Sequence, residues 1–229
     1  MTPREVPILF SGPMVRAILG GRKTQTRRVV TDRTSRGNWR PSQCDLSQAW
    51  VDPGPSIAGN PGPYLKAPVL PEALAANGWS PQEDSIVDRI YPWVFAGDRI
   101  WVRETWSACC GHGAPFCDSG DCAKPEFDYR ATNDVSRPHG WDNAPDDAEA
   151  PRWRPSIHMP RAASRISLEV TRIGLERVQD ISEDDARAEG FSSRDEFFTL
   201  FFDVNKRAPR SDSPWVWIVE FRRAERAGR

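Results

Sequence analysis

Prolines divide this chain into short structural elements, and they constrain its fold more than any other residue type. The chain has 229 residues, and 21 of them are proline. Proline fixes its own φ angle and lacks a backbone N–H, so it interrupts helices and central strands. The densest series runs from Pro41 to Pro81. We therefore interpret about 31–96 as a partly irregular insertion with one short helix near Pro71–Asn77.

Outside this segment the pattern predicts short helices and strands. Capping residues and glycine stops predict helices after Ser11, Ser182 and Ser193. Alternating apolar residues predict strands, namely Thr24–Val30, Arg99–Trp106, 163–178 and Trp215–Arg223. A second irregular insertion spans about 108–160. These elements predict the α+β class, with a mixed β-barrel that carries short helices at its rim.

The overall charge excludes one class of nucleic-acid binder. The formal net charge is -1, from 31 basic and 32 acidic residues. This balance argues against a histone-like protein that binds by electrostatics alone.

No run of about 18 apolar residues is present, so we expect no membrane span. The N-terminal segment lacks the apolar core of a signal peptide, and we therefore expect a cytoplasmic protein.

The segment GGRKTQTRR, at 20–28, has four cationic side chains and no acidic one. Two interpretations are open. Cations after a helix C-terminus stabilise the helix dipole, and threonines favour strands, so the segment suits an ordinary helix-to-strand connection. Alternatively, the cluster forms part of a site for an anionic or polar ligand.

GRKTQTRR resembles the signature of the ASCH domains, a branch of the PUA-like superfamily, which is Gly-x-Lys-x-x-Glu-x-Arg. Gly21, Lys23 and Arg28 match it, whereas Thr26 occupies the position where glutamate is usual. The segments AGDRIWVRETW, ISEDDARAEG and WVWIVEFRR follow in the family's order. The resemblance implies a single ASCH/PUA-like domain over 1–229, with both insertions outside the family's pattern. The chain also resembles ASCH proteins encoded by phages and prophages.

Thr26 is typical of the ASCH subset similar to bacterial acetylcytidine amidohydrolase, which carries Lys-Thr-x-Thr-x-Arg. By this resemblance the catalytic residues are Lys23, Thr26 and Glu189. A threonine hydroxyl is a poor nucleophile without a base, and a lysine with a lowered pKa can be that base. A glutamate can orient the lysine or protonate the leaving amine. The resemblance therefore implies an amide hydrolase that acts on N-acylated pyrimidine nucleosides.

Other residues are expected to bind the substrate. Cationic side chains near the motif can contact phosphate, and tryptophan rings can stack on a base, although a tryptophan on a strand also suits the core. Glu104 could instead pair with an arginine. The predicted set is Arg22, Thr24, Arg27, Arg28, Trp101, Arg103, Glu104 and Trp106.

The segment CCGHGAPFCDSGDC concentrates potential metal ligands. Five of them fall within 14 residues, namely Cys109, Cys110, His112, Cys117 and Cys122. Three cysteines and one histidine suffice for a tetrahedral structural zinc, but the spacing lacks a Cys-x-x-Cys pair. The alternative is an exposed cysteine-rich loop without a metal. We expect no other cofactor.

Two further function classes remain open. One is a non-catalytic module of a phage or prophage that binds RNA, DNA or a modified base. The other is a ribonuclease or accessory protein that acts on nucleic acid. Each class has a nucleoside, a nucleotide or a single-stranded nucleic acid as partner. Thr26 discriminates between them, because only the hydrolase requires a hydroxyl at that position.

Overall fold

The structure is a computed structural model that describes residues 3–36, 40–52, 63–78, 87–109, 126–133 and 153–224. The helices, in chain order, are α1 (Gly12–Leu19), α2 (Pro71–Ala76), α3 (Glu183–Ala188) and α4 (Arg194–Val204). The strands are β1 (Glu5–Leu9), β2 (Gln25–Val29), β3 (Ser35–Arg36), β4 (Trp50–Asp52), β5 (Tyr64–Pro68), β6 (Val87–Pro92), β7 (Arg99–Arg103), β8 (Trp106–Cys109), β9 (Glu126–Tyr129), β10 (Ser167–Arg177) and β11 (Trp215–Arg223). This mixture confirms the predicted α+β class.

The predicted helix caps of α3 and α4 are present. The Ser182 hydroxyl accepts a hydrogen bond from the Asp185 N–H at 3.0 Å. The Ser193 hydroxyl accepts one from the Glu196 N–H at 3.3 Å. Each bond satisfies one of the N–H groups that the first helical turn leaves without a partner. The two helix starts were therefore correctly predicted from the serines.

The sequence interpretation predicted one short helix in about 31–96 and no strand, but the described part of this segment also contains a sheet. Strands β3, β6, β5 and β4 form a four-stranded sheet in that order, and the three pairings are antiparallel. The prolines do not interrupt these strands because Pro68 and Pro92 lie at the ends of β5 and β6. Helix α2 lies where the short helix was predicted. The second insertion also contains regular structure, since β8 and β9 pair antiparallel.

The described chain divides into two compact units. The first contains the described residues of 22–98 and 169–222, and the second contains the described residues of 3–21, 99–168 and 223–224. In the first unit β10, β11 and β2 are neighbours in that order, and β2 runs antiparallel to β11 with Thr26 opposite Val219. In the second unit β1 runs parallel to β7. None of the sheets in the described ranges closes into a barrel, so the predicted mixed β-barrel is not found there.

An apolar cluster holds α3 and α4 in the first unit. The buried members are Val178, Ile181, Ala186, Phe197, Phe198, Phe201 and Val216. Burial of one such large side chain contributes about 1.5–3 kcal/mol relative to leaving it exposed. The cluster thus anchors α3, whose C-terminal end carries Glu189.

A smaller apolar cluster lies in the second unit and consists of Trp106, Met159 and Ala163, with Phe127 and Tyr129 against it. No helix within the described ranges is long and apolar enough to cross a membrane.

Candidate functional site

The connection from α1 to β2 places Lys23 just before the strand. Helix α1 ends at Leu19, and Gly21 has a φ of 71°, a left-handed conformation that favours glycine. Strand β2 begins at Gln25. Lys23 therefore lies in a short loop whose turn depends on the left-handed conformation of Gly21.

The end of α3 is closed by a Schellman motif around Gly190. Gly190 has a φ of 93°, and its N–H donates to the Arg187 carbonyl at 2.8 Å. The Phe191 N–H donates to the Ala186 carbonyl at 3.0 Å. These two bonds satisfy two of the final carbonyls of the helix. The carbonyls of the next two residues, Ala188 and Glu189, receive donors from elsewhere.

The loop before β2 supplies those donors. The Thr24 N–H donates to the Ala188 carbonyl at 2.8 Å. The Lys23 ammonium donates to the Glu189 carbonyl, also at 2.8 Å. A cation at a helix C-terminus is stabilised by the helix dipole. The motif lysine therefore caps α3 in addition to any chemical role.

Lys23 and Glu189 form a buried ion pair. Lys23 Nζ lies 2.5 Å from Glu189 Oε2, and the two side chains are 0% and 3% exposed. Nζ also donates to the Gln25 carbonyl at 2.9 Å. With the Glu189 carbonyl, these acceptors occupy the three N–H groups of an ammonium. The arrangement therefore offers one acceptor to each N–H group of a protonated Lys23.

The charges around Lys23 act in opposite directions on its pKa. Burial lowers the pKa of Lys23, because it disfavours the charged amine, and the charge and hydrogen bond of Glu189 oppose this effect. Arg28 and Arg27 lower the same pKa further through charge repulsion. Burial also lowers the pKa of Arg28, and the charge of Glu189 opposes it. The charge of Glu189 thus acts on both Lys23 and Arg28.

Arg27 lies among three carboxylates. Its Nε donates to Glu176 Oε1 at 2.7 Å. Its Nη2 lies 3.5 Å from Asp185 Oδ2, and its Nη1 lies 3.6 Å from Glu189 Oε1. The Arg27 side chain is 0% exposed. The structure thus places this residue, which was predicted to bind substrate, in a buried charge network.

The sequence interpretation missed Gln25, Glu176 and Asp185. The Gln25 side-chain amide donates to the Asp185 carbonyl at 2.8 Å and to Asp185 Oδ1 at 3.0 Å. Asp185 lies four residues before Glu189, a spacing that places both on one helix face and could have indicated it. No local pattern indicates Glu176, because its contact with Arg27 depends on how β10 and β2 are arranged in the sheet.

The other motif residues lie on different surfaces. Neighbouring strand residues point to opposite faces of a sheet, so Thr26 and Arg28 project from the face of β2 opposite Arg27. Thr26 is buried and Arg28 is half-buried, whereas Arg22 and Thr24 are exposed. The structure therefore brings Lys23 and Glu189 into contact and leaves the role of Thr26 a prediction.

The predicted residues of the second unit form contacts of their own. Trp101 and Trp106 are 8% and 5% exposed, so little of either ring is open for base stacking. The Arg103 guanidinium lies 4.8 Å from the centre of the Trp101 ring. Glu104 is 1% exposed and pairs with Arg165, whose Nε and Nη2 each donate at 2.9 Å.

The predicted zinc ligands lie outside the described residues, apart from the backbone of Cys109 at the end of β8. Among the residues that the structure does describe, no group of three or more His, Cys, Asp or Glu side chains is arranged to hold a metal ion. The zinc site therefore remains a prediction.

The first unit also contains a large cleft with a volume of about 950 Å³. Its lining includes Trp215, Arg177, Lys206 and Arg207. The Arg177 guanidinium lies 4.3 Å from the centre of the Trp215 ring, and its Nη1 donates to the Ser213 carbonyl at 2.9 Å. The cleft is large enough for a nucleotide-sized ligand, since small-molecule sites span about 300–1,000 Å³.

Comparisons with protein-family models, with curated proteins and with solved structures found no match to this chain.

Proposed function

We propose that the protein is an amide hydrolase that removes the acyl group from an N-acylated pyrimidine nucleoside. The observation that supports this proposal is the buried contact of 2.5 Å between Lys23 Nζ and Glu189 Oε2. A basic and an acidic group that share a proton out of water are suited to general acid–base catalysis. The motif residues and their order support an ASCH-type, PUA-like fold as part of the same proposal.

In the proposed reaction the proton of Lys23 moves to Glu189 and leaves a neutral amine. The amine takes the proton of the nucleophile as it attacks the acyl carbon. The carbon–nitrogen bond then breaks, and the leaving nitrogen receives a proton from the pair. Water completes the hydrolysis, so that an N-acylcytidine and one water give cytidine and the carboxylic acid.

We consider two nucleophiles for this reaction. The first is the Thr26 hydroxyl, which the motif indicates and which forms an acyl-enzyme intermediate that water hydrolyses. The second is a water molecule activated directly by Lys23 and Glu189. Because the pair is buried, the substrate must displace part of its cover, and the exposed Arg22 and Thr24 flank Lys23 in the chain.

The test is incubation of the purified protein with N4-acetylcytidine, followed by chromatographic measurement of cytidine and acetate. Wild-type protein should release both in equal amounts, and Lys23→Met should not. The matched control is Arg172→Met, which removes a cation that is 72% exposed and paired with Glu220. A folded wild-type protein that releases neither product from acetylated pyrimidine nucleosides would remove this proposal.

The cleft supports a second candidate function, a module that binds single-stranded nucleic acid or a modified base without catalysis. A tryptophan beside arginine and lysine side chains combines base stacking with contacts to phosphate. Trp215, Arg177 and Lys206 provide this combination in the cleft. The residue Thr26 has no required part in this candidate function.

Binding of a fluorescein-labelled single-stranded RNA, measured by anisotropy, tests the second candidate. Trp215→Phe preserves a ring and should retain much of the affinity, whereas Trp215→Ala should lose about 1–3 kcal/mol for one stacked base. Trp50→Ala is the matched control, because Trp50 is 45% exposed and lies on β4. Equal affinity for Trp215→Ala and the control would exclude the cleft as the binding surface.

A further inference from the structure

The guanidinium of Arg27 contacts a different carboxylate with each of its nitrogens. Nε is held by Glu176 at 2.7 Å, Nη2 faces Asp185 at 3.5 Å, and Nη1 faces Glu189 at 3.6 Å. Those carboxylates come from β10, from α3 and from the residue after α3. A planar guanidinium has donors in fixed directions, so it can hold several acceptors at once in a way that a lysine cannot.

The two carboxylate oxygens of Glu189 consequently face two different cations. Its Oε2 accepts from Lys23, and its Oε1 faces Arg27. Within the described residues, Glu189 Oε1 and both Nη atoms of Arg27 are buried without a hydrogen bond. The contacts of 3.5 and 3.6 Å are therefore electrostatic rather than hydrogen-bonded. Arg27 controls Glu189 mainly through its charge and its fixed position.

Burial makes this control strong. The side chains of Arg27, Lys23 and Glu189 are at most 3% exposed, whereas those of Glu176 and Asp185 are 20% and 40% exposed. Charges that are removed from water interact more strongly than charges on the surface. Arg27 thus connects the partly exposed Glu176 to the buried pair.

We propose that Arg27 is a positioning residue, which is anchored by Glu176 and Asp185 and holds the second oxygen of Glu189 so that Lys23 shares this carboxylate. Arg27 acts on Lys23 only through Glu189 and through its own charge. As a role in hydrolysis, this inference rests on the proposed function. As a statement about the charge of Lys23, it is testable without any activity.

The lysines of this chain allow a direct test. The chain has four of them, Lys23, Lys66, Lys124 and Lys206. Protein labelled with ¹³C at lysine Cε should give one titrating NMR signal for each, and Lys23→Met identifies the first. The charged groups that act on the Lys23 pKa are Glu189, which follows α3, and Arg28 and Arg27 from β2. Glu176 from β10 and Asp185 from α3 contact Arg27. Lys206, whose side chain is 80% exposed, is the internal reference.

Two variants should move the Lys23 titration in opposite directions. Arg27→Met removes a nearby positive charge and the cation that competes with Lys23 for the Glu189 carboxylate. The Lys23 signal should therefore titrate at a higher pH than in the wild type. Glu176→Gln retains an acceptor for Arg27 but removes a negative charge, so Lys23 should titrate at a lower pH. A purely structural effect would loosen the site in both variants and shift both titrations upward.

Arg27→Lys keeps the charge and should shift the Lys23 titration less than Arg27→Met does. Arg172→Met, which alters an exposed ion pair, should leave it unchanged. Shifts in the same direction for Arg27→Met and Glu176→Gln, or no shift in either, would overturn the proposal. If Arg27→Met does not fold, the Lys23 titration of Glu176→Gln alone tests the proposal. A shift to lower pH would support it, and the absence of that shift would overturn it.

The activity measurement is separate. If the protein hydrolyses N4-acetylcytidine, Arg27→Met should lower the rate about 100-fold, as expected for a misplaced catalytic group. The pH–rate limb that reports Lys23 should move in the same direction as its NMR titration. A wild-type protein without hydrolysis would remove the proposed function, while the NMR titrations would still decide the positioning role.

Discussion

Lys23 Nζ and Glu189 Oε2 are 2.5 Å apart and buried, although 166 positions separate the two residues in the chain. The contact joins the loop before β2 to the end of α3. The same lysine also caps the Glu189 carbonyl, and Thr24 caps the carbonyl before it. This one relationship therefore fixes both the local backbone and the charge of the candidate site.

Breaking the pair on one side should destabilise the fold. Lys23→Met and Glu189→Gln should each lower the free energy of unfolding by about 3–5 kcal/mol, because each removes one partner of a buried ion pair. The double variant should lose clearly less unfolding free energy than the sum of the two single-variant losses. Urea denaturation monitored by circular dichroism measures all three. The control Arg172→Met breaks an exposed pair and should cost about 1 kcal/mol or less.

Strict additivity of Lys23→Met and Glu189→Gln would contradict this prediction. It would mean that the two side chains do not stabilise each other in solution.

Thr26→Val distinguishes the two nucleophiles. Valine retains the β-branched shape that suits β2 but lacks the hydroxyl. If Thr26 attacks the acyl carbon, hydrolysis of N4-acetylcytidine should fall by orders of magnitude, whereas the affinity for the nucleoside should change by only about 1 kcal/mol. Initial rates and calorimetric binding measure both quantities. A folded variant with the wild-type rate would assign the attack to a water molecule activated by Lys23 and Glu189.

Glu176 should make stability depend on pH in an unusual direction. Burial raises the pKa of Glu176, and the charge and hydrogen bond of Arg27 only partly oppose this effect. The folded protein thus binds more protons here than the unfolded chain does. The stabilising contribution is fully present below the ordinary glutamate pKa of about 4.3 and is lost as the pH rises through the folded value. Denaturation of the wild type and Glu176→Gln at several pH values should show the wild type gaining relative stability as the pH falls.

Asp185→Asn provides the opposite control. Burial alone would raise the pKa of Asp185, but hydrogen bonds from Gln25 and Ser182 and the charge of Arg27 together lower it. Stability from Asp185 is therefore present above the ordinary aspartate pKa and is lost as the pH falls through the folded value. The difference in unfolding free energy between the wild type and Asp185→Asn should thus decrease on acidification. If this difference and the one between the wild type and Glu176→Gln changed with pH in the same direction, the opposite pKa shifts of Asp185 and Glu176 would be contradicted.

Gly21→Ala should destabilise the loop that carries Lys23. The φ of Gly21 is 71°, and among the described residues nothing lies within 4 Å of a Cβ placed there. The cost is therefore conformational and should be about 1–2 kcal/mol. Gly21→Asn should cost less, because asparagine tolerates this conformation better. Thermal unfolding measures both, and equal melting temperatures for Gly21→Ala and wild type would argue against the left-handed turn.

The cysteine-rich segment gives a prediction about composition. If Cys109, Cys110, His112, Cys117 and Cys122 supply a structural zinc site, protein purified without chelator should contain about one zinc per chain. Inductively coupled plasma mass spectrometry measures the metal. Protein without zinc, whose thiols stay fully reactive in added zinc, would favour the metal-free loop.

Local sequence signals determined the ends of several elements. Ser182, Ser193 and Gly190 specify caps through hydrogen bonds within a few residues, and the alternation in Trp215–Arg223 indicates a strand without reference to the rest of the chain. The proline series misled the interpretation of about 31–96, because prolines at strand ends are compatible with a sheet. The motif likewise indicated Lys23 and Glu189, and the structure brings them into contact.

Tertiary structure alone decided the environment of those residues. The sequence interpretation assigned Arg27 to the substrate, but its guanidinium is enclosed by carboxylates from β10 and α3. Glu176 carried no recognisable signal, since its partner is 149 positions away. Charge interactions depend on distance and burial in space, and neither quantity is encoded in the spacing of residues along the chain.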